Sequence, residues 1–299
     1  MIELITAPTN LGLRPPELGA APGTAKAPEA LREAGLYERL AAQGAVDAGA
    51  VLPARYVGTD PAPGHVRNEA AIIDFTRRLS HRIDSALRRG AAPLVIGGDC
   101  SILLAAGHAL STRGSHGLVH LDGHTDFRHP GNSDECASVA GEDLAAAVGL
   151  HWPAIGDIDG RAPYFSASAT AHIGHRDNDL EAPEASSVLG LTLSAAAARG
   201  RGMNGSVLAA KSVSGPHGYW LQLDVDILDP RWMPAVDSPD DGGLNPDELA
   251  ELLAILAPGA VGASVTVFDP DLDPTGEHAM LLTVILSETL TSLGSDHFG

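Results

Sequence analysis

A chain of 299 residues with 38 acidic against 19 basic side chains carries a formal charge of −19. Such a surface repels phosphate backbones, which excludes nucleic acid as an expected partner. No run of 18 or more apolar residues offers a membrane span, and two cysteines, Cys100 and Cys136, are too few for a disulfide framework.

Met1, Ile2, Glu3, Leu4 and Ile5 lack the basic start and long apolar core of a secretory signal, so they read as a first strand. A cytoplasmic location is the corresponding expectation. In chain order, strands are predicted over 3–7, 93–96, 117–121, 169–173, 219–223 and 262–268. Helices are predicted over 28–43, 66–89, 101–112, 141–148, 246–256 and 276–293. In the 66–89 segment Ile72, Phe75, Leu79, Ile83, Ala86 and Leu87 recur at three-to-four spacing, as one apolar helix face requires. Asn245 followed by Pro246, Asp247 and Glu248 is a helix start: a capping side chain, a preset φ and acids in the first turn. No Ser/Gly tract or charge block marks a linker, so residues 1–299 are taken as one domain.

Strands separated by helices imply βαβ crossovers. The expected fold class is α/β, a three-layer αβα arrangement around a mainly parallel central sheet. In such sheets ligands bind at the carboxyl ends of the strands. Three chemistry-bearing segments sit there: Asp99 and Cys100; Asp122, His124 and Asp126; and Asp224 and Asp226. Alternate residues of an extended segment point the same way, so each cluster can address one small volume. Four carboxylates brought together this way repel one another unless cations lie between them, and two divalent ions would resolve that repulsion.

The runs Gly97-Gly98-Asp99-Cys100-Ser101, Leu121-Asp122-Gly123-His124-Thr125-Asp126 and Leu223-Asp224-Val225-Asp226-Ile227-Leu228-Asp229-Pro230 resemble the three signatures of the arginase/agmatinase (ureohydrolase) family. The resemblance covers nearly the whole chain. Residues 28–36 look like that family's N-terminal helix, and residues 173–179 like its substrate-contacting loop. It implies one metal at Cys100, Asp122, Asp126 and Asp224. A second is implied at His124, Asp122, Asp224 and Asp226, with Asp122 and Asp224 shared. It further implies hydrolysis of a C–N bond in a linear amidine or guanidino compound by a hydroxide held between the ions, releasing urea or a substituted urea. Asp126 would orient that hydroxide and relay its proton. Asp179 and Thr266 are the implied substrate-binding residues, Asp229 a loop-fixing residue, and a trimer or hexamer the implied assembly.

The chain also departs from the family pattern. Cys100 replaces the usual histidine ligand. A thiolate is softer than imidazole, so Mn²⁺ is the first expectation while Fe²⁺, Zn²⁺ and Co²⁺ gain ground. The stretch 137–142, where arginases carry a proton-shuttle histidine, has none. The strand that usually carries a guanidinium-binding Glu is uncharged at Thr266 and Val267, with Asp269 or Glu277 as candidates to compensate. A modified arginine or another guanidino compound is therefore expected rather than arginine. An alternative from a different class is a catalytically impaired protein that keeps the fold for binding or regulation. A one-zinc deacetylase-like hydrolase is disfavoured by the shared aspartates.

Overall fold

The computed structural model describes residues 1–215 and 217–298. Its strands are β1 (Ile2–Ala7), β2 (Val46–Ala50), β3 (Ala92–Gly97), β4 (Gly117–Leu121), β5 (Thr170–Ile173), β6 (Leu191–Leu193), β7 (Tyr219–Asp224) and β8 (Ala260–Thr266). They form one sheet in the order β2-β1-β3-β8-β7-β4-β5-β6, and every pairing is parallel. Parallel neighbours need crossovers, and the helices supply them: α1 (Ala27–Glu33), α2 (Leu36–Ala42), α3 (Glu69–Arg88), α4 (Ile102–Leu110), α5 (Asp143–Ala147) and α6 (Pro153–Gly156) in the first half. The second half adds α7 (Ala182–Val188), α8 (Ala195–Arg201), α9 (Met203–Ser214), α10 (Pro246–Leu256), α11 (Glu277–Thr289) and α12 (Ser295–Phe298).

Strand alternation divides the core into two layers. Leu4, Leu94 and Ile96 join α1, α2, α9, α10 and α11 on one face. Ile5, Val95, Leu118 and Trp220 join α3, α4 and α5 on the other. The expected α/β three-layer class is what the chain adopts. The Asn245 side chain accepts from Glu248 N–H while Glu248 answers to Asn245 N–H, a capping box at the start of α10.

Several boundaries differ from the sequence expectation. The helix expected over 28–43 is two helices, because Gly35 takes φ 91° and turns the chain between α1 and α2. The strand expected over 262–268 runs from Ala260 to Thr266, and Val267 leaves it at φ 87°. The edge strands β2 and β6 and the helices α6 to α9 lie outside the predicted elements. β2 is mostly exposed and β6 is three residues long, so neither carries the apolar run that marks a buried strand. No helix among the described residues is long and apolar enough to cross a membrane.

Candidate metal centre

The strand order brings the carboxyl ends of β3, β8, β7 and β4 side by side. Cys100 follows β3, Thr266 ends β8, Asp224 ends β7 and Asp122 follows β4. Cys100 Sγ lies 2.7 Å from Asp224 Oδ2 and 3.4 Å from Thr266 Oγ1. Ligand atoms of Cys100, Asp122 and Asp224 all fall within 4.8 Å of one another, and so do those of Asp122, His124 and Asp226. Two candidate groups therefore share Asp122. Asp126 sits apart from the first group and clusters instead with His120 and Asp143.

The backbone makes these approaches close. A Cβ on Gly123 would meet Asp226 O at 2.7 Å, so only glycine lets the two acidic loops meet. Gly123 N–H then donates to Asp226 Oδ1 at 2.9 Å, and His124 N–H donates to Asp122 Oδ1 at 2.7 Å. Asp224 Oδ1 accepts from Asp226 N–H at 2.8 Å. Each carboxylate thus spends one oxygen on its loop. Of the remaining oxygens, Asp122 Oδ2 is buried without a partner, Asp224 Oδ2 meets the Cys100 thiol, and Asp226 Oδ2 meets His124 Nδ1 at 2.8 Å.

The electrostatics are those of carboxylates crowded together out of water. Burial raises the Asp122 and Asp224 carboxyls well above their usual range, and the neighbouring aspartates raise them further. Burial likewise raises the Cys100 thiol, with Asp224 adding to it. Burial disfavours a charged His124, but the Asp226 carboxylate overrides it and pushes the imidazole up to about 11. The donor set of carboxylates, one imidazole and one thiol matches divalent transition metals, so these residues fit such ions.

The centre floors a cavity of about 580 Å³. Cys100, His124, Asp126, Asp224 and Asp226 form the floor, and Asp179, Glu181, Asp269 and Asp271 line the walls, with Arg14 and Arg128 the cationic members. Ala140 and Gly141, from the stretch 137–142 that has no histidine, also line it. His129 turns aside to Glu184 (Nε2 to Oε1, 3.1 Å).

Asp179 lines the cavity, but its carboxylate is already engaged. It accepts from Thr125 N–H at 2.7 Å, from the Thr125 hydroxyl, and from Glu181 and Ala182 N–H at 2.9 Å each. It ties the second acidic loop to the start of α7. Thr266 is also placed differently from the expectation that it contacts substrate. It is buried under the centre, accepts from Gln222 Nε2 at 3.1 Å, and lies 3.4 Å from Asp224 Oδ2. The residue that reaches the cavity is Val267, just past the end of β8. This follows from strand alternation: Thr266 faces the sheet interior, and the positive φ of Val267 turns the next side chain outward. Asp269 accepts from Gly23 and Asp271 N–H, and Glu277 is exposed away from the cavity. Asp229 accepts from Arg231 and Gly242 N–H, consistent with a loop-fixing role.

Sequence reasoning missed His120 and Asp143. His120 was absorbed into an apolar strand and Asp143 into a helix start. The available signal was a histidine and an acid, each set within an otherwise fully buried run.

A family model described as the arginase family matches residues 4–291. An arginase of Brevibacillus brevis is 28% identical over 289 residues, covering 91% of this chain and 94% of its own. An agmatinase of Proteus mirabilis is 27% identical over 220 residues, covering 73% of this chain and 65% of its own. The solved native structure of the arginase from Bacillus caldovelox is 25% identical and superposes with a TM-score of 0.85, covering 97% of each chain.

Proposed function

The chain belongs to the arginase family, and from that premise we propose that it is a hydrolase of C–N bonds in linear guanidino or amidine compounds, dependent on two divalent metal ions. The observation that carries this reading is the pair of ligand groups sharing Asp122 at the floor of the cavity. Cys100, Asp122, Asp224 and, after a side-chain rotation, Asp126 would hold one ion. Asp122, His124, Asp224 and Asp226 would hold the other. When bound, such ions activate water at neutral pH and act as Lewis acids.

The chain's own residues do the rest. The acidic cavity wall draws in a cationic guanidinium. Asp126, which lines the cavity, takes the proton of the attacking water once its side chain has rotated toward the first ion, and delivers it to the departing nitrogen. Asp179 receives the far end of the substrate while holding its loop. Thr266 positions Cys100 and Asp224. Val267 presents an apolar surface where the family places a carboxylate. The absent shuttle histidine and this apolar position support a substrate other than arginine. The relatives' own names, arginase and agmatinase, differ in substrate, so membership leaves that choice to the cavity wall. Mn²⁺ is the first candidate metal, with Fe²⁺, Zn²⁺ and Co²⁺ the alternatives that the thiol favours. A homo-oligomer, trimer or hexamer, is the assembly proposed with this function.

The test is a screen of guanidino and amidine compounds with protein reconstituted in each metal, scoring urea or substituted urea. Turnover of at least one compound, abolished by chelation, is expected. Full metal occupancy with no turnover of any of them would overturn the reading in favour of a binding or regulatory protein.

A further inference from the structure

Beside Asp122 and Asp126 lie ligand-type atoms that a two-ion centre leaves unused, those of His120 and Asp143. His120 sits within β4 and Asp143 opens α5, and both are fully buried. His120 Nε2 is 3.6 Å from Asp122 Oδ2 and 3.7 Å from Asp143 Oδ1. None of these three atoms has a hydrogen-bond partner, nor does Asp143 Oδ2. Asp126 places a carboxylate oxygen within 4.8 Å of the His120 and Asp143 atoms.

Leaving such groups buried and unpaired costs about 1–3 kcal/mol each, and more when charged. The separations of 3.6 and 3.7 Å are too long for hydrogen bonds. They are close to the distance between two ligands that each lie about 2.0–2.2 Å from one tetrahedral cation, roughly 3.3–3.6 Å. The second shell is in place as well. His120 Nδ1 is 2.9 Å from His172 Nδ1, and donation from His120 along that bond leaves the Nε2 lone pair free.

We propose that His120, Asp122, Asp126 and Asp143 hold a further divalent cation beside the binuclear centre, with Asp122 and Asp126 at the boundary between them. The imidazole and carboxylate donors suit Mn²⁺, Fe²⁺ or Zn²⁺. The cation is structural: it ties β4 to α5, whose preceding residues Ala140 and Gly141 form a cavity wall. The site borders the proposed catalytic centre, but its occupancy is counted separately from turnover.

The test is the Mn²⁺ content of the full chain after equilibration and desalting, together with anomalous scattering from Mn²⁺-grown crystals. Three ions per chain and an anomalous peak between His120 and Asp143 are expected. Asp143→Asn and His120→Gln should each reduce the count to two. Two ions in the native protein, or no peak beside Asp143, overturn the inference and leave the hydrolase reading intact if guanidino turnover is present. Three ions without turnover of any guanidino compound do the reverse. Should either variant fail to fold, the native count and the peak still decide.

Discussion

The Sγ atom of Cys100 lies 2.7 Å from Oδ2 of Asp224, although 124 residues separate them and strand β8 runs between their strands. The contact joins the one unusual member of the candidate ligand set to a carboxylate that both ions are proposed to share. It makes the sulfur a member of the centre's geometry and not a neighbouring core side chain.

The first prediction concerns that sulfur. Cys100→His should tighten Mn²⁺ binding at the first site by roughly tenfold, the scale on which single changes around a metal act. Calorimetric titration of the metal-free protein measures it. An unchanged affinity and stoichiometry would show that the thiol is no ligand.

Metal removal should destabilise the fold. At a hundredfold excess over Kd, a bound ion contributes about 2.7 kcal/mol by mass action. For a chain of this size that corresponds to roughly 4 °C in Tm. Thermal melts with and without chelator read it directly, and coincident melts would contradict the proposed centre. Uptake should also release protons, because Cys100 and His124 carry them when no ion is bound.

Asp179→Ala removes an acceptor used by Thr125 N–H, the Thr125 hydroxyl, Glu181 N–H and Ala182 N–H. The expected loss is about 1–3 kcal/mol of stability, with faster amide exchange at Thr125 and Ala182. Urea melts and hydrogen exchange test it. A loss of substrate affinity with unchanged exchange would instead assign Asp179 to binding alone.

Val267→Glu returns a carboxylate to the cavity wall. A charged hydrogen bond to a guanidinium is worth about 1.5–3 kcal/mol, so KM for a cationic guanidino substrate should fall by roughly tenfold or more while KM for a neutral analogue stays put. Val267 is a β-branched residue at φ 87°, a backbone state that strains it already. A Glu here therefore adds no new backbone penalty of that kind. Equal changes for both substrates would remove Val267 from the guanidinium pocket.

The acid limb of stability should depend on Asp229. The Arg231 guanidinium, followed by the Gly242 and Arg231 N–H groups, outweighs burial and holds this carboxyl below its ordinary 3.8. A depressed folded-state pKa means stability that is present above the unfolded value and lost as pH falls through the folded one. Stability should therefore drop below about pH 4, and Asp229→Asn should flatten that part of the curve. Denaturant midpoints between pH 5 and pH 2 show whether it does.

Much of the architecture was legible because its signals are local. The apolar spacing of Ile72, Phe75, Leu79 and Ile83 marked α3, the Asn245 cap marked α10, and acids at alternate positions after apolar runs marked the candidate ligands. Those features depend on neighbours a few residues away, where side-chain direction is fixed by the element itself. The edge strands, the break at Gly35 and the orientation of Thr266 against Val267 depend on partners far along the chain or on one backbone dihedral, and they escaped.

The sequence alone therefore determined the α/β class and which residue types would meet at strand ends. Only the tertiary structure decided which of them touch. Sheet pairing is non-local: the order β3-β8-β7-β4 sets Cys100 against Asp224, slides Thr266 beneath them, brings Asp126 near Asp143, and leaves His120 Nε2 facing unpartnered oxygens of Asp122 and Asp143. No periodicity within a segment encodes that arrangement, because it is set by the packing of segments that lie as many as 166 residues apart in the chain.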